Sequence, residues 1–187
     1  MRDEVFVRFE TTSRSLALRA ERRCSSTLLD VRQLAHCGAT VEADVPVTIR
    51  AVDGVTTLHL VDQETRRRPL VVDLADPIDL VETLVLTFDR FCITGWSFRD
   101  WLDVLVGERA CFHVLECSVA DMGALVAGGN TLLFVNVSGD GTLLDWWDIS
   151  RAYAARMTGE ARLFSHGLVA DGPRWVRVLA VLDVLET

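Results

Sequence analysis

TLLFVNVSGDGTLLDWWDI, residues 131–149, is the stretch on which the fold reading turns. Leu132 to Val137 is apolar at almost every position, as a strand buried on both faces is. Ser138-Gly139-Asp140-Gly141 joins it to a second apolar run, and a short Gly-rich connector between β-prone runs predicts a hairpin. The second run ends in Asp145-Trp146-Trp147-Asp148, two indoles bracketed by two carboxylates. Neighbours on a strand point to opposite faces, so either one Trp enters the core and the other faces out or lies under a helix, or both are buried, one on each side of a two-faced sheet. This hairpin is predicted to be the centre of a sheet, with helices laid against it.

The segments on either side extend that picture. Val5 to Glu10 reads as a strand with Val5, Val7 and Phe9 on one face. Ser26 followed by Leu28, Leu29, Val31, Leu34 and Ala35 predicts a capped helix that Gly38 stops. Val41, Ala43, Val45, Val47, Ile49 and Ala51 alternate with polar residues, which predicts a strand with one wet face. Asp53-Gly54 predicts a type I′ turn into a return strand over Val55–Val61. Pro46 lacks a ladder donor, so either the first of these strands lies at a sheet edge or Pro46 points its missing N–H outward.

Gln63–Arg68 reads as a charged loop and Leu70–Leu74 as a strand. Asp76-Pro77 predicts a helix start; over the β-branched and aromatic residues 84–93 periodicity leaves helix and strand both open, with a short helix running into a strand preferred. Ser97–Val106 reads as a helix, Ala110–Cys117 as a strand and Ser118–Ala127 as a helix. Ser150 is expected to cap a short helix through Met157. Arg162–Val169 and Trp175–Leu185 are expected to close a last hairpin across Asp171-Gly172-Pro173. Strands and helices without a steady βαβ rhythm predict an α+β fold: a largely antiparallel, mixed sheet with short helices packed against it. The expected organisation is a single domain over 1–187, with 1–75 and 76–187 as its sub-lobes.

Charge removes several classes of function. The net charge is -8, whereas a nucleic-acid partner calls for a cationic face that displaces counterions from phosphates. All nineteen cations are Arg, so neither lysine Schiff-base nor P-loop lysine chemistry is available. Five Cys show no paired spacing and the chain opens Met1-Arg2-Asp3-Glu4, which predicts reduced thiols in a cytoplasmic protein. No apolar run approaches the roughly 18–20 residues of a membrane span.

Cys111, His113 and Cys117 fall on one face of a predicted strand and are soft zinc ligands. A closed zinc site needs four ligands at turn-type spacing, so these three are secondary candidates, and neither a metal nor a cofactor is expected. His36 and Cys37 are adjacent and point apart. G-x-G-x-x-G, Walker A, H-E-x-x-H and G-x-S-x-G are absent, which removes the common catalytic classes. The expected function is therefore an acidic protein-binding module, such as an inhibitor or immunity-type partner of a basic protein. Its candidate binding residues are Asp140, Asp145, Trp146, Trp147 and Asp148, because exposed Trp is enriched at binding hot spots. The alternative is a small-molecule pocket lined by Trp96, Trp101, Phe112 and Trp146, with Asp145 or Glu116 as acid/base. A homodimer paired through the edge of the Val41–Val61 hairpin is a third arrangement.

Overall fold

The computed structural model describes residues 5–39, 44–61, 69–89, 98–116, 129–137, 141–157, 160–172 and 174–182. The predicted loop over Gln63–Arg68, the cap at Ser97 and the helix over Ser118–Ala127 lie outside these residues. Nine strands and four helices are described, an α+β content with mixed strand pairing. The chain forms two compact units, Met1–Asp89 and Arg90–Thr187.

In the first unit β1 (Val7–Thr11) leads through α1 (Arg14–Arg23) to β2 (Leu29–Gln33), and β1 and β2 are parallel. β1 also pairs in parallel with β3 (Val47–Val52). β3, β4 (Val55–Leu60) and β5 (Leu70–Asp73) then form an antiparallel meander, giving the order β2-β1-β3-β4-β5. The β3–β4 turn is built as predicted: Asp53 and Gly54 both have positive φ, 50° and 77°. α2 spans Pro77–Asp89, its first turn capped by Asp76, whose Oδ1 accepts from Ile78 N at 3.0 Å.

Three expectations for this unit are corrected. Residues 29–33 are a strand rather than a helix. Ser26 makes a turn instead of a cap, its Oγ accepting from Leu28 N and its carbonyl from Leu29 N. β3 is not an edge, since β1 and β4 flank it, and Pro46 precedes the strand. Residues 84–89 remain helical. Thr83 and Thr87 donate their hydroxyls to the carbonyls four residues back, and Leu80, Val81, Leu84 and Val85 recur at helical spacing and are buried.

The sheet of this unit has two unlike faces. Val7, Phe9, Val47, Ile49, Leu58, Leu60, Leu70 and Val72 are all buried, and α1 and α2 pack onto β1. The alternate residues form a charged ladder. Arg8 and Glu10, each 2% exposed, stand beside Asp30 and Arg32 of β2 and Thr48 and Arg50 of β3. Arg8 donates to Asp30 at 2.9 Å and clasps both oxygens of Asp44. Arg50 donates twice to Glu10, at 2.9 and 2.7 Å. Burial pulls the Arg8 pKa down, but the hydrogen bonds to Asp44 and Asp30 outweigh it and hold the guanidinium above its ordinary value.

The second unit has the strand order β6-β9-β7-β8: β6 (Arg109–Glu116), β9 (Trp175–Val181), β7 (Thr131–Asn136) and β8 (Leu163–Leu168). β7 is buried along its whole length, as predicted. α3 (Phe98–Val104) packs on one face, where Trp101 meets Phe134 edge-on with centroids 5.6 Å apart. α4 (Leu143–Ala154) packs on the other, over Leu133, Val135 and Val178. Each fully buried Leu or Val contributes about 1.5–3 kcal/mol.

Three corrections follow here too. Residues 131–149 are not a hairpin: β7 is followed by α4, and β8 returns parallel to β7. Ser150 does not cap a helix but lies inside α4, donating to the carbonyl of Trp146. The last hairpin is absent, because β7 stands between β8 and β9.

Two outcomes test these packings. Glu10→Gln leaves the Arg50 guanidinium without its carboxylate and should cost about 3 kcal/mol of unfolding free energy in urea titrations. The paired change Glu10→Leu with Arg50→Met should cost less than either single change. His166 of β8 is 1% exposed and edge-on to Phe134, and burial pushes its pKa down to about 4. The unfolded chain therefore takes up a proton near pH 6.5 that the folded chain refuses. Stability should be full above pH 6.5 and fall by about 3 kcal/mol as pH drops to 4, and His166→Leu should flatten that segment.

Candidate docking surface on helix α4

The connection from β7 into α4 fixes where the tryptophans go. Gly141 lies against the backbone of Val137, where a Cβ would overlap the Val137 carbonyl. Close approach, rather than a left-handed turn, requires glycine here. Thr142 then caps the helix. Its Oγ1 accepts from Asp145 N at 3.3 Å, and Asp145 Oδ2 accepts from Thr142 N at 2.7 Å and from its hydroxyl at 2.8 Å. This reciprocal box satisfies donors that the first helical turn leaves open. The hydrogen bonds from the Thr142 backbone and hydroxyl, with Arg174 adding its charge, hold the Asp145 carboxyl below the usual carboxylate range.

On α4 successive residues turn by 100°, so Trp146 and Trp147 still part company, though for a reason other than strand alternation. Trp146, Ile149, Ser150 and Tyr153 face the sheet at helical spacing. Trp146 Nε1 donates to Ser165 Oγ of β8 at 2.9 Å, Ser165 and Ser150 share a hydrogen bond of 2.5 Å, and Ser150 donates to the Trp146 carbonyl at 2.7 Å. The indole is thus pinned through its polar tip.

The solvent-exposed side of the helix is unlike this. Leu143, Leu144 and Trp147 are 56%, 70% and 53% exposed, and Leu144 and Trp147 are i,i+3 neighbours. Exposed Asp148 and Arg151 flank them. Scattered apolar residues on a surface are ordinary, but three large ones within five positions form a contiguous patch of the kind that marks interaction sites. The sequence nominated Asp145, Trp146, Trp147 and Asp148 and missed Leu143 and Leu144, which read as interior residues of a strand. Asp140 lies outside the described residues.

The other nominated residues do not assemble. Cys111 and His113 share one face of β6, half-buried and exposed, while Cys117 lies outside the described residues. Among the described residues no group of three potential ligands could hold a metal. Trp101 and Phe112 lie on the α3 side of β7, Trp146 lies on the α4 side, and Trp96 and the Glu116 side chain are outside the described residues. A cleft of about 330 Å³ opens in the first unit, lined by Thr12, Ser13, Leu16, Val52, Thr56 and Val72 among others, none of them nominated. His59 is half-buried and bonded to Thr57 at 3.0 Å.

The geometry makes residue 141 a sensitive position. Gly141→Ala must push Thr142 away from Val137 and should cost about 2 kcal/mol or more. Thr142→Val, which removes the cap alone, should cost about 1 kcal/mol, both changes being read by denaturant unfolding.

No family model matches the chain, and no curated protein does. Two solved structures from M. jannaschii are similar to it. One is a mutant of FtsZ, at 14% identity over 57% of this chain and 38% of that one, with a TM-score of 0.49. The other is an empty FtsZ dimer, at 17% identity over 57% of this chain and 37% of that one, also with a TM-score of 0.49. The matched region spans well under half of each FtsZ chain.

Proposed function

We propose that the chain is a protein-binding module that docks a basic protein on the outer face of α4. The observation that carries this reading is the exposed row Leu143, Leu144 and Trp147 on a helix whose inner face is fixed by Trp146. A rigid helix holding a half-exposed indole loses little conformational entropy on binding, which is what a hot spot needs. The occupant is a partner with an apolar pocket for Trp147 and Leu144 and a net positive surface. Locally Asp145 and Asp148 are balanced by Arg174 and Arg151, so the apolar pair supplies the anchor. The whole-chain charge of -8 supports the basic partner, because complementary fields speed encounter.

The reading includes a reducing compartment, supported by the exposed free thiol of Cys37. No described helix is long and apolar enough to cross a membrane.

The test places a photo-crosslinking residue at position 147 and, as a control, at the exposed Leu18 of α1. In host lysate, position 147 should yield one dominant adduct with a basic protein, weakened by salt and abolished by Leu144→Glu. Position 18 should yield none. Equal adducts at both positions, or an adduct indifferent to Leu144→Glu, would show that α4 is not the docking face. A dominant adduct with a second copy of this chain would equally overturn the basic-partner reading.

A further inference from the structure

Among the described residues β2 ends the strand order of its unit, with β1 as its neighbour on one side. Leu28 O accepts from Phe6 N and Val7 N, and Leu34 N donates to Thr11 O. In a parallel ladder the bonding residues of one strand alternate, so the even-numbered residues of β2 bond to β1. Leu29, Val31 and Gln33 then turn their carbonyls outward, and Val31 and Gln33 their N–H groups. Such a row is a template for a further strand. On the helix side of this edge, Leu29 and Val31 line a trough of about 430 Å³ with Cys24, Ser26 and Thr27.

The sequence of β2 selects what fits there. When two copies of LDVRQ run antiparallel about Val31, Val31 meets the partner's Val31 and Leu29 meets the partner's Gln33. Asp30 then meets the partner's Arg32, and the same contact repeats across the axis. The Asp30–Arg32 position falls between the bonded pairs, where opposed side chains come closest and opposite charges are favourable. A parallel, in-register arrangement would set Asp30 against Asp30 and Arg32 against Arg32, which is disfavoured. We propose that β2 pairs antiparallel with β2 of a second copy of this chain across a two-fold axis, extending the sheet of each and covering Leu29 and Val31. The sequence-based expectation of pairing through the Val41–Val61 hairpin is replaced, because β3 is an internal strand.

Sedimentation velocity of the full chain should show a concentration-dependent dimer. Arg32→Asp sets acid against acid at both contacts and should return a monomer with an unchanged far-UV spectrum. In a Cys37→Ser background, Val31→Cys should form a disulfide-linked dimer under mild oxidation, since the two positions face each other at bonding distance. Gln33→Cys should not, because two such positions lie four residues apart, about 13 Å. A single-chain mass at every concentration would overturn the proposal. So would equal crosslinking by the two cysteine variants, or a dimer that ignores Arg32→Asp but is lost with Leu144→Glu. That last outcome would move the contact to α4.

Discussion

Two parallel strands cannot be joined by a tight turn, and this constraint shapes both units. The chain leaving β7 must travel the length of the sheet before it enters β8 in the same direction. A helix is the compact way to do so, and α4 is that helix. β1, α1 and β2 repeat the arrangement in the first unit. Once β7 and β8 are parallel, residues 143–154 must satisfy their own backbone hydrogen bonds. Trp146 and Trp147 are then distributed by helical geometry, one against the sheet and one away from it.

The two units solve the problem of a half-covered sheet differently. In the second, helices lie on both faces of β7 and every residue of the strand is buried. In the first, α1 and α2 occupy one face and the other carries ion pairs at the spacing of the strands. Arg8 reaches across to β2 and to Asp44, and Arg50 reaches back to β1. These contacts contribute little net energy compared with apolar packing, but they set register, because a shift by one residue would drive Arg8 and Glu10 into the Val7–Phe9 core. The guanidinium fork suits this role: Arg8 holds Asp44 by two nitrogens, and on the surface Arg23 holds Glu82 at 3.1 and 2.8 Å.

Where local chemistry alone determines conformation, the sequence was readable. Asp53-Gly54 needs positive φ at both positions and has it; Asp76-Pro77 starts a helix; the alternation over Val41–Ala51 makes a strand from Val47 onward, while residues 44–46 stand outside it and 40–43 lie outside the described residues. β2 was misread because Leu28, Leu29 and Val31 fit a helical stripe, and what decides against it is remote: Asp30 bonds to Arg8, 22 residues away. α4 was misread because Ser138-Gly139-Asp140-Gly141 matched a hairpin connector. The opposing signal was present in Thr142-x-x-Asp145, a capping box, followed by Trp146, Ile149, Ser150 and Tyr153 at helical intervals. Half of the candidate surface was therefore found through its tryptophan and acids. Leu143 and Leu144 were passed over because a short apolar run reads alike in a buried strand and in a helix.

The ladder on β1 has an asymmetry in its response to solution conditions. Every cation in it is a guanidinium, and none of the nineteen in the chain is an amine. Guanidinium keeps its proton throughout the range in which proteins stay folded. Alkali therefore has nothing to remove from the Arg8 contacts, whose guanidinium is held above its ordinary value. Acid is the condition that can discharge the pair with Asp44, and the Arg8 hydrogen bond holds that carboxyl below the usual carboxylate range.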